Sequence, residues 1–157
     1  ARGGWKNPHV LGSDANEALF LDDGVIVVEG QEDAGLLRTV FEQLNIPMTG
    51  TVFGWGTGGG DGGPRRIVAL LDALGFKKVV ALLDADKPEE VDAIRERFPN
   101  YLAMTIPADD IRDKPGGMQK PKQGLLDEKG NTIKDALVEP TREVLRLVAD
   151  YLKRDED

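Results

Sequence analysis

Two apolar runs end in acid. Val25, Ile26, Val27 and Val28 lead into Glu29, and Val79, Val80, Ala81, Leu82 and Leu83 lead into Asp84 and Asp86. Both runs are apolar on consecutive residues instead of alternating, the pattern of strands covered by helices on two faces. Parallel strands of this kind open their ligand crevice at the carboxyl edge, so acids at two strand ends emerge together. Carboxylates so crowded repel one another unless a cation neutralises them, and a hard divalent ion is the natural partner of oxygen ligands. Asp84 and Asp86 are two residues apart and would face the same side of a continuing strand. Asp33 lies one helical turn after Glu29, where a helical side chain leans back toward the same mouth. Glu32 fits better as a first-turn acid favoured by the helix dipole. Four acids with room for two ions suit phosphodiester hydrolysis, one ion activating water and the other steadying the leaving oxygen. Any one of these acids taken alone would also fit a solvated or capping residue.

The surrounding chain alternates strand and helix. Strands are predicted at 24–29, 50–53, 78–83 and 101–106, and helices at about 31–44, 64–74 and 88–97. The helices rest on spacing: Ala34, Leu37, Phe41 and Leu44 in the first, Ile67, Leu70, Leu71 and Leu74 in the second, Val91 and Ile94 in the third. Pro64 and Pro88 suit first helical positions, and Gly75 suits a helix stop. The expected class is α/β: a Rossmann-like, mostly parallel central sheet with helices on both faces. Residues 24–106 form that core. Residues 107–157 add an irregular basic excursion with a small hairpin around 127–131, then a closing helix after Pro140. Residues 1–23 carry no sustained periodicity and begin without Met, so the chain reads as a piece cut from a longer protein, the missing part lying upstream.

Composition narrows the chemistry. The 157 residues include no cysteine and one histidine, His9, which excludes thiol catalysis, disulfides and histidine-rich metal centres. No apolar segment is long enough for a membrane span and no signal peptide is visible, so a cytoplasmic protein without membrane contact is expected. A net charge of −8 opposes a wholly basic nucleic-acid surface but not a local stripe. Arg112, Lys114, Lys120 and Lys122 form such a stripe, and Arg65 and Arg66 open the second helix. Both groups are candidates for phosphate contacts; a solvated loop is the plain alternative for the first. The run Gly54, Trp55, Gly56, Thr57, Gly58, Gly59 satisfies a dinucleotide fingerprint but follows the second strand and continues in glycine, which fits a backbone nest for a DNA phosphate better.

Val28-Glu29-Gly30 followed by Asp84-Ala85-Asp86 resembles a TOPRIM domain, shared by topoisomerases, primases, recombination proteins and several nucleases. Glu17-Ala18-Leu19-Phe20-Leu21-Asp22, Val28-Glu29-Gly30-Gln31-Glu32-Asp33, the segment 53–59 and Pro107-Ala108-Asp109-Asp110-Ile111-Arg112-Asp113-Lys114 resemble OLD-family (overcoming lysogenization defect) nucleases over about residues 8–115. The resemblance implies a DNA endonuclease dependent on two Mg²⁺ or Mn²⁺ ions, following an ABC-type ATPase domain through which it could form oligomers. It implies that Glu29, Asp84 and Asp86 hold one ion, that Asp33 contributes to the second, and that a lysine steadies transition-state charge, for which Lys114 is the candidate ahead of Lys120 and Lys122. Having Asp at 33 shortens the reach by one methylene, and Glu139 stays unassigned. Asp84-Ala85-Asp86 alone also occurs in haloacid-dehalogenase phosphatases and glycosyltransferases. Pro88 departs from the first and neither accounts for Glu29. A receiver domain would need a paired acid where Glu29-Gly30 stands. Other TOPRIM activities, such as RNA maturation or primer synthesis, and a metal-loaded docking module without chemistry remain open.

Overall fold

The computed structural model describes residues 24–54, 63–116 and 120–154; the lead-in 1–23 and the glycine run from Trp55 to Gly62 lie outside them. Four strands, β1 (Val25–Val28), β2 (Thr51–Gly54), β3 (Val79–Leu83) and β4 (Leu102–Thr105), form one sheet in the order β2-β1-β3-β4. Every pairing in it is parallel, with Val25 beside both Thr51 and Val79, and Val80 beside Leu102. The connecting helices are α1 (Gln31–Gln43), α2 (Gly63–Ala73) and α3 (Pro88–Arg97), and α4 (Val138–Lys153) closes the chain. Among the described residues no helix is long and apolar enough to cross a membrane.

Strand side chains alternate between two apolar layers, which is why both strands read as unbroken apolar runs. Ile26, Val28, Val80 and Leu82 pack with Leu37, Val40 and Phe41 of α1 and with Leu145, Val148 and Leu152 of α4. Val25, Val27, Val79, Ala81 and Leu83 pack with Val68 of α2 and with Val91 and Ile94 of α3. Each such large side chain withdrawn from water contributes about 1.5–3 kcal/mol before chain entropy is counted.

The four-strand α/β layout follows the sequence pattern, with three differences of detail. In α2 the buried stripe runs through Pro64 and Val68, with Ile67 and Leu71 half-buried, and leaves Leu70 and Leu74 more than half exposed. The closing helix begins two residues before Pro140, in a first turn where the missing proline N–H leaves no hydrogen bond unmade. The excursion is more ordered than its composition suggests. Strands β5 (Asp110–Arg112) and β6 (Gly124–Leu126) pair in parallel, and the expected hairpin is present as an antiparallel bridge between Leu126 and Ile133. Ile106, Ala108, Ile111, Leu125, Leu126 and Ile133 join the α1–α4 layer, so the excursion belongs to the core of one face.

Candidate metal centre

β1 and β3 are neighbours, yet the helix after β1 covers one face and the helix after β3 covers the other. Their connections therefore part at the carboxyl edge and leave a crevice between them, the switch point of an open α/β sheet. At the crevice the chain bends at Glu29, and α1 starts at Gln31 after an extended Gly30. Close packing there demands glycine at the end of β2: a Cβ on Gly54 would lie 2.1 Å from the Gly30 carbonyl oxygen. Asp33, in the first turn of α1, accepts the Gly30 N–H, a capping arrangement that turns its carboxylate back to the strand end.

β3 ends at Leu83, and the Lys87 N–H closes a turn onto the Asp84 carbonyl at 3.0 Å. Asp84 keeps the strand's alternation and points to the α1 side, lining a small cleft with Val28, Asp33, Leu37, Leu82, Ile106 and Ile111. Asp86 lies in the turn and is exposed. Two-residue spacing puts side chains on one side only while a strand continues, and here it stops one residue before Asp84.

The excursion supplies a further acid. Asp110 is 3 % exposed, and one carboxylate oxygen from each of Asp33, Asp84 and Asp110 lies within 4.8 Å of the others. Asp110 is absent from the sequence-derived ligand set although a signal for it existed. Ile106, Ala108 and Asp110 are buried in phase while Asp109 is exposed, so an acid occupies a position that the alternation reserves for the core. Asp110 Oδ1 accepts the Ile111 N–H at 2.7 Å, and Lys114 Nζ lies 2.8 Å from Asp110 Oδ2.

The crevice favours a cation. Asp84 is nine-tenths buried and faces the Glu29 carboxyl. Burial pushes its carboxyl far above the usual range, and the hydrogen bond and charge of Glu29 push it in the same direction. Asp33 is raised to about 6, first by burial and then by the charge of Asp110, against the lowering effect of Lys114 and the Gly30 N–H. Lys114 is held above its ordinary value, first by its hydrogen bond to Asp110 and further by the charges of Asp110, Asp33 and Glu32. An all-carboxylate donor set suits Mg²⁺ or Mn²⁺, and oxygens on opposite sides of such an ion lie about 4.2 Å apart, inside the spread seen here.

Of the residues singled out in the sequence, the fold thus brings together Glu29, Asp33, Asp84 and Lys114, while Asp86 is exposed in the turn beyond Asp84. The basic candidates divide. Arg112 Nε pairs with Glu32 at 2.8 Å and its Nη1 donates to the Glu128 carbonyl at 3.2 Å, which ties the excursion to α1. Lys120 and Lys122 are exposed on the excursion. Arg65 and Arg66 are exposed on the first turn of α2, with Arg65 3.5 Å from Glu90 of α3. Glu139 is exposed beside Arg142 at 3.4 Å, and Arg142 also binds the Leu44 carbonyl at the far end of α1, away from the crevice. No protein-family model, curated protein or solved structure matches this chain, so the meaning of the crevice rests on its own geometry.

Proposed function

We propose that the chain is the catalytic domain of a divalent-metal-dependent DNA endonuclease, a TOPRIM-type domain of the OLD-family kind acting beside an ATPase domain. The observation that carries this reading is the nine-tenths-buried Asp84 facing Glu29, with Asp33 and Asp110 close by, at the switch point of a parallel sheet. Glu29, Asp33 and Asp84 would hold Mg²⁺ or Mn²⁺. The bound metal would supply Lewis acidity and an acidified water for hydrolysis of a phosphodiester. In that reaction a water oxygen adds to phosphorus and the bridging P–O bond breaks, leaving one phosphate and one hydroxyl end. The ammonium of Lys114, held beside the acids by Asp110, would steady charge developing on the phosphoryl oxygens. Among the exposed cations, Arg65, Arg66, Lys120 and Lys122 would track the DNA backbone. Supercoiled plasmid incubated with the protein in Mg²⁺, Mn²⁺ or EDTA tests the reading. Nicking that requires metal is expected; retained metal binding without nicking would make the crevice a docking module instead.

A further inference from the structure

We infer that the apolar patch on the α2–α3 face, beside the free edge of β2, is the docking seat of the chain's own lead-in, with Ala18-Leu19-Phe20-Leu21 as the occupant. The inference is independent of the proposed metal site and would stand without it.

The patch collects apolar surface that the rest of the molecule hides. Of the four large hydrophobic side chains that stand exposed among the described residues, Phe53, Leu70 and Leu74 belong to it, at 45 %, 53 % and 58 % exposure. Phe53 and Leu70 line a hollow of about 190 Å³ together with Val25, Ile67 and Phe76. Leu74 stands one helical turn beyond Leu70, its N–H on the Leu70 carbonyl at 2.9 Å. Single exposed hydrophobics are ordinary on a protein surface, whereas a contiguous group marks a surface that binds something. β2 is also the edge strand of its sheet, and an open strand edge is normally covered.

Position, reach and charge name the occupant. The lead-in joins the described chain at Gly24, whose carbonyl accepts the Thr51 N–H at 3.2 Å, and the next residue, Val25, already lines the hollow. The segment is thus tethered at the foot of β2, at an effective concentration on the order of millimolar that a diffusing partner rarely matches. Leu21 and Leu19 precede Gly24 by three and five residues, a reach of roughly 10–18 Å, against roughly 7 Å along β2 from Thr51 to Phe53. The four apolar residues from Ala18 to Leu21 are followed by Asp22 and Asp23. Lys77 is exposed next to Phe76 of the hollow, and the Lys78 carbonyl accepts the Val25 N–H at 2.9 Å, so a cation stands at the foot of the patch where those acids enter. The fourth exposed hydrophobic, Leu147, has a different setting, a groove at the β4 edge shared with the charged Arg95, Asp150 and Arg154.

Because the 157-residue chain has no cysteine, engineered pairs report on docking without background. Treated with oxidised glutathione, F20C/L70C and F20C/F53C should form intramolecular disulfides, at least one of them about tenfold faster than F20C/L147C. Chymotrypsin supplies a second readout: L70E should raise the rate of cleavage after Phe20 by about tenfold, and L147E should leave it unchanged. Leu70 and Leu147 are both more than half exposed, so neither change threatens the fold. Comparable linking rates in all three pairs, no linking in either patch pair, or an unchanged cleavage rate in L70E would overturn the inference. So would disulfide-linked dimers formed by L70C alone, which would assign the patch to a second copy of the chain.

Discussion

The two faces of the sheet are made from the same strands and do different work. The α2–α3 face has an apolar core, with Val25, Val27, Val79, Ala81 and Leu83 meeting Val68, Val91 and Ile94. The α1–α4 face has an equally apolar floor, but at its carboxyl edge it admits Asp33, Asp84 and Asp110 with Lys114. Burial on the first face is favourable under all conditions. Burial of acids on the second is unfavourable until a cation joins them, which makes part of that face conditional on what it binds.

Substitutions on the two faces should therefore separate stability from metal binding. Asp84→Ala is expected to lower metal-dependent nicking by at least about 10²- to 10³-fold, the scale of losing one group that stabilises developing charge, while far-UV circular dichroism stays native. Retained nicking would reject the assignment. Ile94→Ala, a fully buried change on the opposite face, should cost about 2–4 kcal/mol in urea unfolding and leave metal affinity unchanged. Gly54→Ala forces a Cβ against the backbone of Gly30 and Gln31 and must shift the start of α1; it should weaken Mn²⁺ binding about tenfold by calorimetry, with a loss of stability at least as large as that of Ile94→Ala.

The conditional face also has a pH signature. Asp33 moves from 3.8 to about 6 in the folded metal-free protein, so above its ordinary value the folded state holds a proton that the unfolded chain has already released. The unfolded state binds fewer protons in that window, and stability must fall as pH rises from about 4 to about 6, by about 1–2 kcal/mol after allowance for solvent screening. Asp33→Asn should make this slope shallower in the absence of metal without abolishing it, because the raised Asp84 contributes in the same direction, and the rise in melting temperature caused by Mg²⁺ should grow with pH. The smallest effect concerns the cations. Arg65→Gln and Arg66→Gln should each reduce the salt slope of DNA binding by about 1, whereas Arg112→Gln, engaged with Glu32, should leave that slope unchanged.

The layered architecture and part of the crevice could be read from the chain itself. Consecutive apolar residues ending at Glu29 and Asp84 determined parallel strands with acids at one edge, because only doubly covered strands dispense with alternation and parallel pairing aligns their ends. The spacing that placed Asp33 one turn after Glu29 is equally local, and the fold brings the two together. Whether Asp86 or Asp110 completes the group was beyond local pattern. Asp86 depends on where β3 stops, and the strand's end at Leu83 leaves it exposed in the turn beyond Asp84. Asp110 and Lys114 reach the crevice only because β5 and β6 pair and dock on α1, where the ion pair between Arg112 and Glu32 joins them. Residue type and period decide which face a side chain shows within its own element. Long-range packing decides which elements meet, and the partners of a buried charge are settled at that level.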